Sequence, residues 1–194
     1  MKYAHLIFLI ICMCSCKNET NKTVIIKNIP ASFVLKSNTT TKTSSLYLED
    51  KIYSGFVYEL HPGSVDTILI ESYYNGLKEG ASKKWYTDNK LKELRHYSSG
   101  QKNGKQIAFW KNGNKRFEYT AKNDAYEGEL KEWNSYGFLF HLAHYTNGQE
   151  EGSQKLWYDN GKIRANYVII SGKRYGLLGT KNCVNVSDSI FFNK

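Results

Sequence analysis

Glycines stand at positions 55, 80, 104, 128, 152 and 176, the first interval 25 residues and the next four 24. No other property of the chain restricts its fold so strongly. A fixed period of this length marks a repeat architecture, in which each unit buries its apolar face only against its neighbours. A second glycine row lies four residues upstream, at Gly76, Gly100, Gly148 and Gly172, with Asp124 in the remaining slot. Five residues downstream of the anchor glycines comes an aromatic row, Trp85, Phe109, Trp133 and Trp157. Seven residues upstream comes another, Tyr73, Tyr97 and Tyr145.

Each anchor glycine is followed by a six-residue strand such as 105–110 or 153–158, then by a turn at 87–90, 111–114, 135–138 or 159–162. A second strand of about eight residues follows, as at 91–98 and 163–170, and a second glycine turn closes the unit. Strand, turn, strand, turn predicts an all-β chain, a single-layer antiparallel meander or solenoid of about five to six 24-residue hairpin repeats. Helix is disfavoured because glycine recurs too often for one to propagate. Asn112-Gly113 and Asn160-Gly161 are the strongest hairpin signals and predict type I′ turns, which need positive φ at both central residues. Gly80, Gly104, Gly128, Gly152 and Gly176 are read as turn glycines. With strands ~4.8 Å apart, each repeat advances ~10 Å, and the array makes a ribbon roughly 50–60 Å long.

Repeats this short leave no second layer to cover a face, so the aromatics are expected to stack on one another in rows from equivalent slots. Fifteen Tyr, nine Phe and four Trp suit such half-buried pleated surfaces. Trp85, Tyr97, Phe109, Trp133, Tyr145 and Trp157 form the candidate binding surface if part of the rows is exposed; otherwise they are the core of the sheet. The net charge of +9 comes from 27 basic and 18 acidic residues. The lysines are scattered through the repeats, which suits a solvated sheet face. No Lys/Arg block of nucleic-acid-binding length is present, so no nucleic-acid partner is expected.

The recurring unit is clearest at Tyr145, Asn147, Gly148, Gly152, Trp157, Tyr158, Asn160, Gly161 and Lys162. Tyr73, Asn75, Gly76, Gly80, Trp85 and Tyr86 fill the same slots. This pattern resembles the MORN-repeat variant of the YwqK antitoxin family, over residues 53–176. The repeat at 121–137 departs from it, with Ala121 for the tyrosine, Asp124 for the glycine and Asn134 for the second aromatic. The resemblance implies MORN-like hairpin repeats, membrane-proximal scaffolding through protein contacts and, from the family label, an antitoxin-like role.

Residues 1–15 carry Lys2, an apolar run from Leu6 to Met13, and a small residue, Ser15, before Cys16. The run is too short for a stable membrane span and suits a secretory segment. It resembles a bacterial lipoprotein signal peptide, which implies lipidation at Cys16, a tether over 16–23 and a place in the cell envelope, periplasm-facing or at the surface. Cys14 is the second candidate acceptor. Removing 1–15 takes one positive charge from +9, leaving +8, and leaves Cys183 without an internal partner. Residues 24–52 are expected to cap the array, with 37–45 as a loop. Residues 177–194 lose the repeat pattern and are expected to cap the other end. Cys183 is a small buried hydrophobe in that reading, or the centre of a docking segment.

No phosphate loop, nucleophile elbow, zinc-protease helix motif or paired-cysteine motif appears in the mature chain, so no enzyme activity and no cofactor are expected. No metal site is expected either. His96 and His144 are two repeats apart, and His141 and His144 fall on opposite faces of one strand. Glu127, Glu129, Glu132, Glu150 and Glu151 are expected to solvate turns and pair with nearby lysines. These features favour a lipid-anchored, non-catalytic envelope scaffold whose sheet binds an envelope protein. The alternatives are an antitoxin-like partner of a toxin, or a basic sheet that binds anionic lipid or glycan.

Overall fold

The computed structural model describes residues 27–179. The expected signal segment, Cys16, the expected tether and Cys183 lie outside the described residues. Before the array come β1 (Phe33–Leu35), a 3-10 turn (Lys36–Asn38), β2 (Thr39–Lys42), β3 (Ser45–Leu48) and β4 (Lys51–Ile52). The first two array hairpins are β5 (Gly55–Leu60) with β6 (Thr67–Tyr74), and, after the short β7 (Leu77–Lys78), β8 (Gly80–Trp85) with β9 (Leu91–Ser98). The next are β10 (Gln101–Lys102), β11 (Gly104–Phe109) and β12 (Lys115–Lys122), then β13 (Ala125–Trp133) and β14 (Leu139–Thr146). The last are β15 (Gln149–Glu150), β16 (Gly152–Trp157), β17 (Ile163–Ile170) and β18 (Lys173–Leu177). From β5 to β18 the chain is one antiparallel meander, open at both ends and not closed into a barrel. The fold is therefore all-β, as the glycine period requires.

The two turns of each repeat are the reverse of the sequence expectation. Positive φ at both central residues occurs at Asn75-Gly76, Ser99-Gly100, Asn123-Asp124, Asn147-Gly148 and Ser171-Gly172, and these are the type I′ turns. At Asn112-Gly113 and Asn160-Gly161 only the glycine has positive φ. There Gly113 donates to the Trp110 carbonyl at 2.9 Å and Trp110 donates to the Asn114 carbonyl at 2.8 Å. That pattern is a three-residue loop with a left-handed glycine after the turn, which the dipeptide alone does not distinguish from I′. Asn89 fills the glycine's place in the second hairpin at φ 59°.

Four of the anchor glycines are not turn residues but bulges. Tyr73 pairs with Lys78 beside the turn, whereas Leu69 pairs with Lys84 further on, so two residues around Gly80 are inserted into the ladder. The same step recurs around Gly104 and Gly152, and within β13 around Gly128. A left-handed glycine at such a bulge increases the local twist of the strand. Gly176 departs: it pairs with Tyr167 in unbroken register, and a Cβ there would lie 2.8 Å from the Asn166 carbonyl.

Register puts one face of the meander to the inside. Val57, Ser82, Gln106, Leu130 and Gln154, each two residues beyond its anchor glycine, are all buried. Leu69, Glu71, Tyr73, Ala108, Ala121, Ala143, Ala165 and Ile169 are buried on the same face. Strand alternation sends Trp85, Phe109, Trp133 and Trp157 to the opposite face, three residues beyond that row. The two aromatic rows therefore do not share a face.

β1 lies along the free edge of β5 in parallel register, Val34 opposite Val57. The expected loop 37–45 is instead the first hairpin of a separate three-stranded sheet, β2-β3-β4. Its threonine-rich strand suits a pleated surface, and Thr43-Ser44 turns it with positive φ at both residues. This sheet docks on the first repeat through Leu46, which donates to the Gly76 carbonyl at 2.9 Å, and Gly76 donates to the Tyr53 carbonyl at 2.8 Å. A Cβ on Gly76 would come 3.1 Å from Ser45 and 3.2 Å from Ile52, so the close approach itself requires glycine. Leu46, Tyr53, Val57 and Tyr73 form the buried cluster beneath, flanked by Val34 and Leu48. Each such aliphatic side chain contributes roughly 1.5–3 kcal/mol when fully buried.

Candidate functional site

Trp85, Phe109, Trp133 and Trp157 sit at strand ends beside the hairpin loops and are half-buried. They make no ring-on-ring row among the described residues. Lys115 Nζ lies over the Trp133 ring at 5.5 Å. At the first two row members the following residue does the joining. Tyr86 donates its hydroxyl to the Phe109 carbonyl at 2.9 Å, and Trp110 donates Nε1 to the Trp133 carbonyl at 2.9 Å. Instead of the expected stacking of equivalent aromatics, two side-chain-to-backbone bonds link successive repeats here.

The rings that do meet come from unlike slots. Phe117 and Tyr119 lie 5.8 Å apart, Tyr119 and Tyr126 4.6 Å, and Tyr126 and Tyr145 5.0 Å. This stripe is built at the irregular repeat. Ala121 gives up the expected ring, and Tyr126, directly opposite it in the ladder, supplies one. Arg95 closes the other end, its guanidinium 4.6 Å from the Phe117 ring centre and bonded to the Tyr119 hydroxyl at 3.1 Å. Burial raises the Tyr119 phenol above its ordinary pKa against the opposing pull of Arg95, and burial also raises that of Tyr145. Both hydroxyls therefore stay protonated donors at neutral pH. Tyr97, also half-buried, lies outside the stripe under Lys78 Nζ at 5.1 Å.

Of the six candidate surface residues, only Tyr145 belongs to this ring stripe. Tyr119 and Tyr126 are members that row-by-row reading of the sequence passes over. Their signal is the departure at Ala121, because a missing ring in a repeat invites a search for its replacement across the ladder. Tyr126 is 38% exposed; Tyr136 and Phe138, on the loop at the opposite end of β13, are 82% and 65% exposed. The stripe thus combines fixed rings with one accessible ring, Tyr126.

The acidic residues divide into two groups. Glu129 pairs with Lys131 at 2.7 Å, Glu132 with His141 at 2.7 Å and Glu150 with Arg174 at 3.2 Å. Glu127 and Glu151 instead accept backbone N–H groups at the next repeat's turn. His96 Nδ1 lies 2.7 Å from the Lys105 carbonyl. No group of three His, Cys, Asp or Glu able to hold a metal ion occurs among the described residues. Gln106 and Gln154 are fully buried at equivalent places. Each donates Nε2 to a backbone carbonyl, of His96 at 2.9 Å and of His144 at 2.8 Å. Their Oε1 atoms have no protein partner among the described residues.

A carboxylate is also buried at the start of the array. Glu71 accepts from Lys78 Nζ at 2.5 Å and from the Tyr73 hydroxyl at 2.9 Å. Burial, together with the Glu71 charge, raises the Tyr73 phenol far above its ordinary value, so it is a fixed donor.

No protein-family model matches the chain, and no curated protein matches it.

Proposed function

We propose that this protein is a non-catalytic, lipid-anchored scaffold of the bacterial cell envelope that binds another envelope protein through its sheet. The observation that carries the reading is the Tyr119–Tyr126–Tyr145 stripe, in which Tyr126 is 38% exposed. Rigid aromatic rings offer large contact area at little conformational cost, which is why such residues concentrate at protein interfaces. The resemblance of residues 53–176 to the MORN-like repeats of the YwqK family supports a binding role. The resemblance of residues 1–16 to a lipoprotein signal supports the anchor and envelope location. An antitoxin-like role is a special case of the same reading, with an envelope or surface toxin as partner.

A photo-crosslinking amino acid placed at Tyr126 or Tyr145 in intact cells tests the contact surface. One discrete protein adduct is expected from these positions and none from Lys122. Adducts from all three positions, or from none, would reject the stripe as the contact. Cys16→Ala is expected to abolish lipid labelling and membrane fractionation, and retained labelling would move the acceptor to Cys14 or reject the anchor. Binding through rings should persist at high ionic strength, whereas attachment to anionic lipid should fade.

A further inference from the structure

We propose that the cleft between the N-terminal sheet and the first two repeats binds a hydroxylated organic anion, a sugar acid or a sugar phosphate. The cleft encloses about 600 Å³, within the ~300–1,000 Å³ range of small-molecule sites. Thr41, Ser44 and Leu46 of the small sheet line one side. Leu69, Glu71 and Tyr73 of β6 line the other. Lys36, Lys78, Lys84 and Lys92 reach it from the 3-10 turn, β7, β8 and β9.

The charges around the cleft do not cancel. Lys36 is held by Glu59 at 2.9 Å, and Lys78 by the buried Glu71. Glu93 stands opposite Lys84 in the ladder, but its carboxylate pairs with Arg95 at 3.4 Å. Five cations thus meet three carboxylates, two positive charges in excess. Neither Lys84 nor Lys92 has an ion-pair partner among the described residues; Lys92 Nζ lies over the Tyr86 ring at 5.4 Å. Uncompensated cations in a concave site focus the potential and raise the local concentration of anions.

The repeats supply an internal comparison. The Lys84 slot holds Ala108, Glu132 and Leu156 in the following units, the Lys78 slot Lys102, Tyr126 and Glu150, and the Lys92 slot Arg116, Phe140 and Arg164, so no later unit carries all three cations. The cation cluster is therefore a local feature of the capped end rather than a property of the sheet. A small ligand fits this limit, whereas a long polyanion would need the charge to continue along the array. The hydroxyls of Thr41 and Ser44 can donate to or accept from ligand hydroxyls. Glu71 is fixed by Tyr73 and Lys78, and Leu46 and Leu69 give apolar patches suited to the carbon faces of a sugar. This inference is independent of the scaffold reading, which rests on the ring stripe in later repeats.

Calorimetric titration of the purified mature protein tests it, with glucose 6-phosphate, galacturonate, glucose and inorganic phosphate as probes. At least one of the two sugar anions is expected to bind at least about tenfold more tightly than glucose and inorganic phosphate, a difference of about 1.4 kcal/mol. The Lys84→Gln/Lys92→Gln double variant should weaken that binding at least about tenfold, with an unchanged melting temperature. Lys111→Gln/Lys122→Gln, which alters lysines away from the cleft, should bind as the parent does. The proposal is overturned if neither sugar anion binds, or if glucose or inorganic phosphate binds as tightly. Full affinity in the Lys84/Lys92 variant, or equal loss in the control variant, also overturns it. If the double variant does not fold, Lys84→Gln alone is the test, and full affinity there overturns the proposal.

Discussion

The Glu127 carboxylate accepts the backbone N–H of Asn147 at 2.9 Å, 20 residues along the chain and one repeat away. The residue just before three other anchor glycines repeats this bond. Ser54 accepts from Asn75 at 2.7 Å, Glu79 from Ser99 at 2.7 Å and Glu151 from Ser171 at 3.4 Å. A second bond runs alongside: Gly76, Gly100, Asp124 and Gly148 each donate backbone N–H to a carbonyl of the preceding repeat, at 2.8–3.0 Å. Successive type I′ turns are thus tied to one another outside the strand ladder, so the turns hold the array together as well as reversing the chain.

Glu127→Ala should lower stability by about 1 kcal/mol, since a charge-assisted bond to backbone is lost at a partly exposed place. Asn103→Ala should cost less than about 0.5 kcal/mol, because the Asn103 side chain donates only to the Asn123 side chain, at 3.3 Å. Urea unfolding of the two variants checks the order. Equal losses would show that the turn-to-turn bond contributes nothing.

Gln106→Leu should be tolerated within about 1.5 kcal/mol, as for a swap that keeps core volume. Leu130 occupies the equivalent buried slot, and the change removes an amide oxygen that lacks a protein partner. Gln106→Ala should cost more, about 2 kcal/mol or above, through a cavity and the lost bond to the His96 carbonyl. Thermal unfolding of both variants decides; a larger loss for leucine would mean that the amide is required.

Gly104→Ala isolates backbone conformation. A Cβ there would lie 3.6 Å from the His96 Cβ, ordinary contact, while φ is +93°. The expected cost is about 1–2 kcal/mol from the left-handed region alone. Gly176→Ala should cost more than this, because its Cβ would lie 2.8 Å from a backbone oxygen. Denaturant midpoints give the comparison, and a neutral Gly104→Ala would reject the bulge as a strained position.

Glu118 sets an acid limb. Hydrogen bonds from Lys105 at 2.7 Å and Lys115 at 2.5 Å hold its carboxyl below the ordinary value of 4.5. A lowered folded pKa contributes stability that is present above the unfolded value and lost as pH falls through the folded one. The stability gap between the parent and Glu118→Gln should therefore be largest near neutrality and close as pH falls from 4.5 through the lowered folded value. Both lysines are about half exposed, so the gap should stay under about 1 kcal/mol. A gap that is constant with pH would rule out the ion pair as its cause.

The period, the all-β class and the meander order were legible because each rests on local chemistry. Glycines at fixed intervals exclude helix, and the aromatic and aliphatic residues between them suit strands. Which glycine turns and which bulges was not legible. Asn112-Gly113 and Ser99-Gly100 are both plausible hairpin dipeptides, and the difference lies in how many residues the ladder absorbs on either side. The candidate surface was legible only in Tyr145. The buried row at Val57, Ser82, Gln106, Leu130 and Gln154 mixes apolar with polar residues, so no hydrophobic pattern announces it; a fixed offset of two from each glycine is its only mark.

By itself the sequence determined a chain of strands repeated every 24 residues, because backbone freedom and side-chain shape are properties of single residues and near neighbours. Only the tertiary structure decided which face is inside, that the tryptophan and tyrosine rows part company, and that Tyr126 restores the ring absent at Ala121. It alone brought Lys84 and Lys92 to one cleft. These outcomes depend on strand register, in which a shift of one residue exchanges the faces, and register is set by bulges and turns acting together across the ladder.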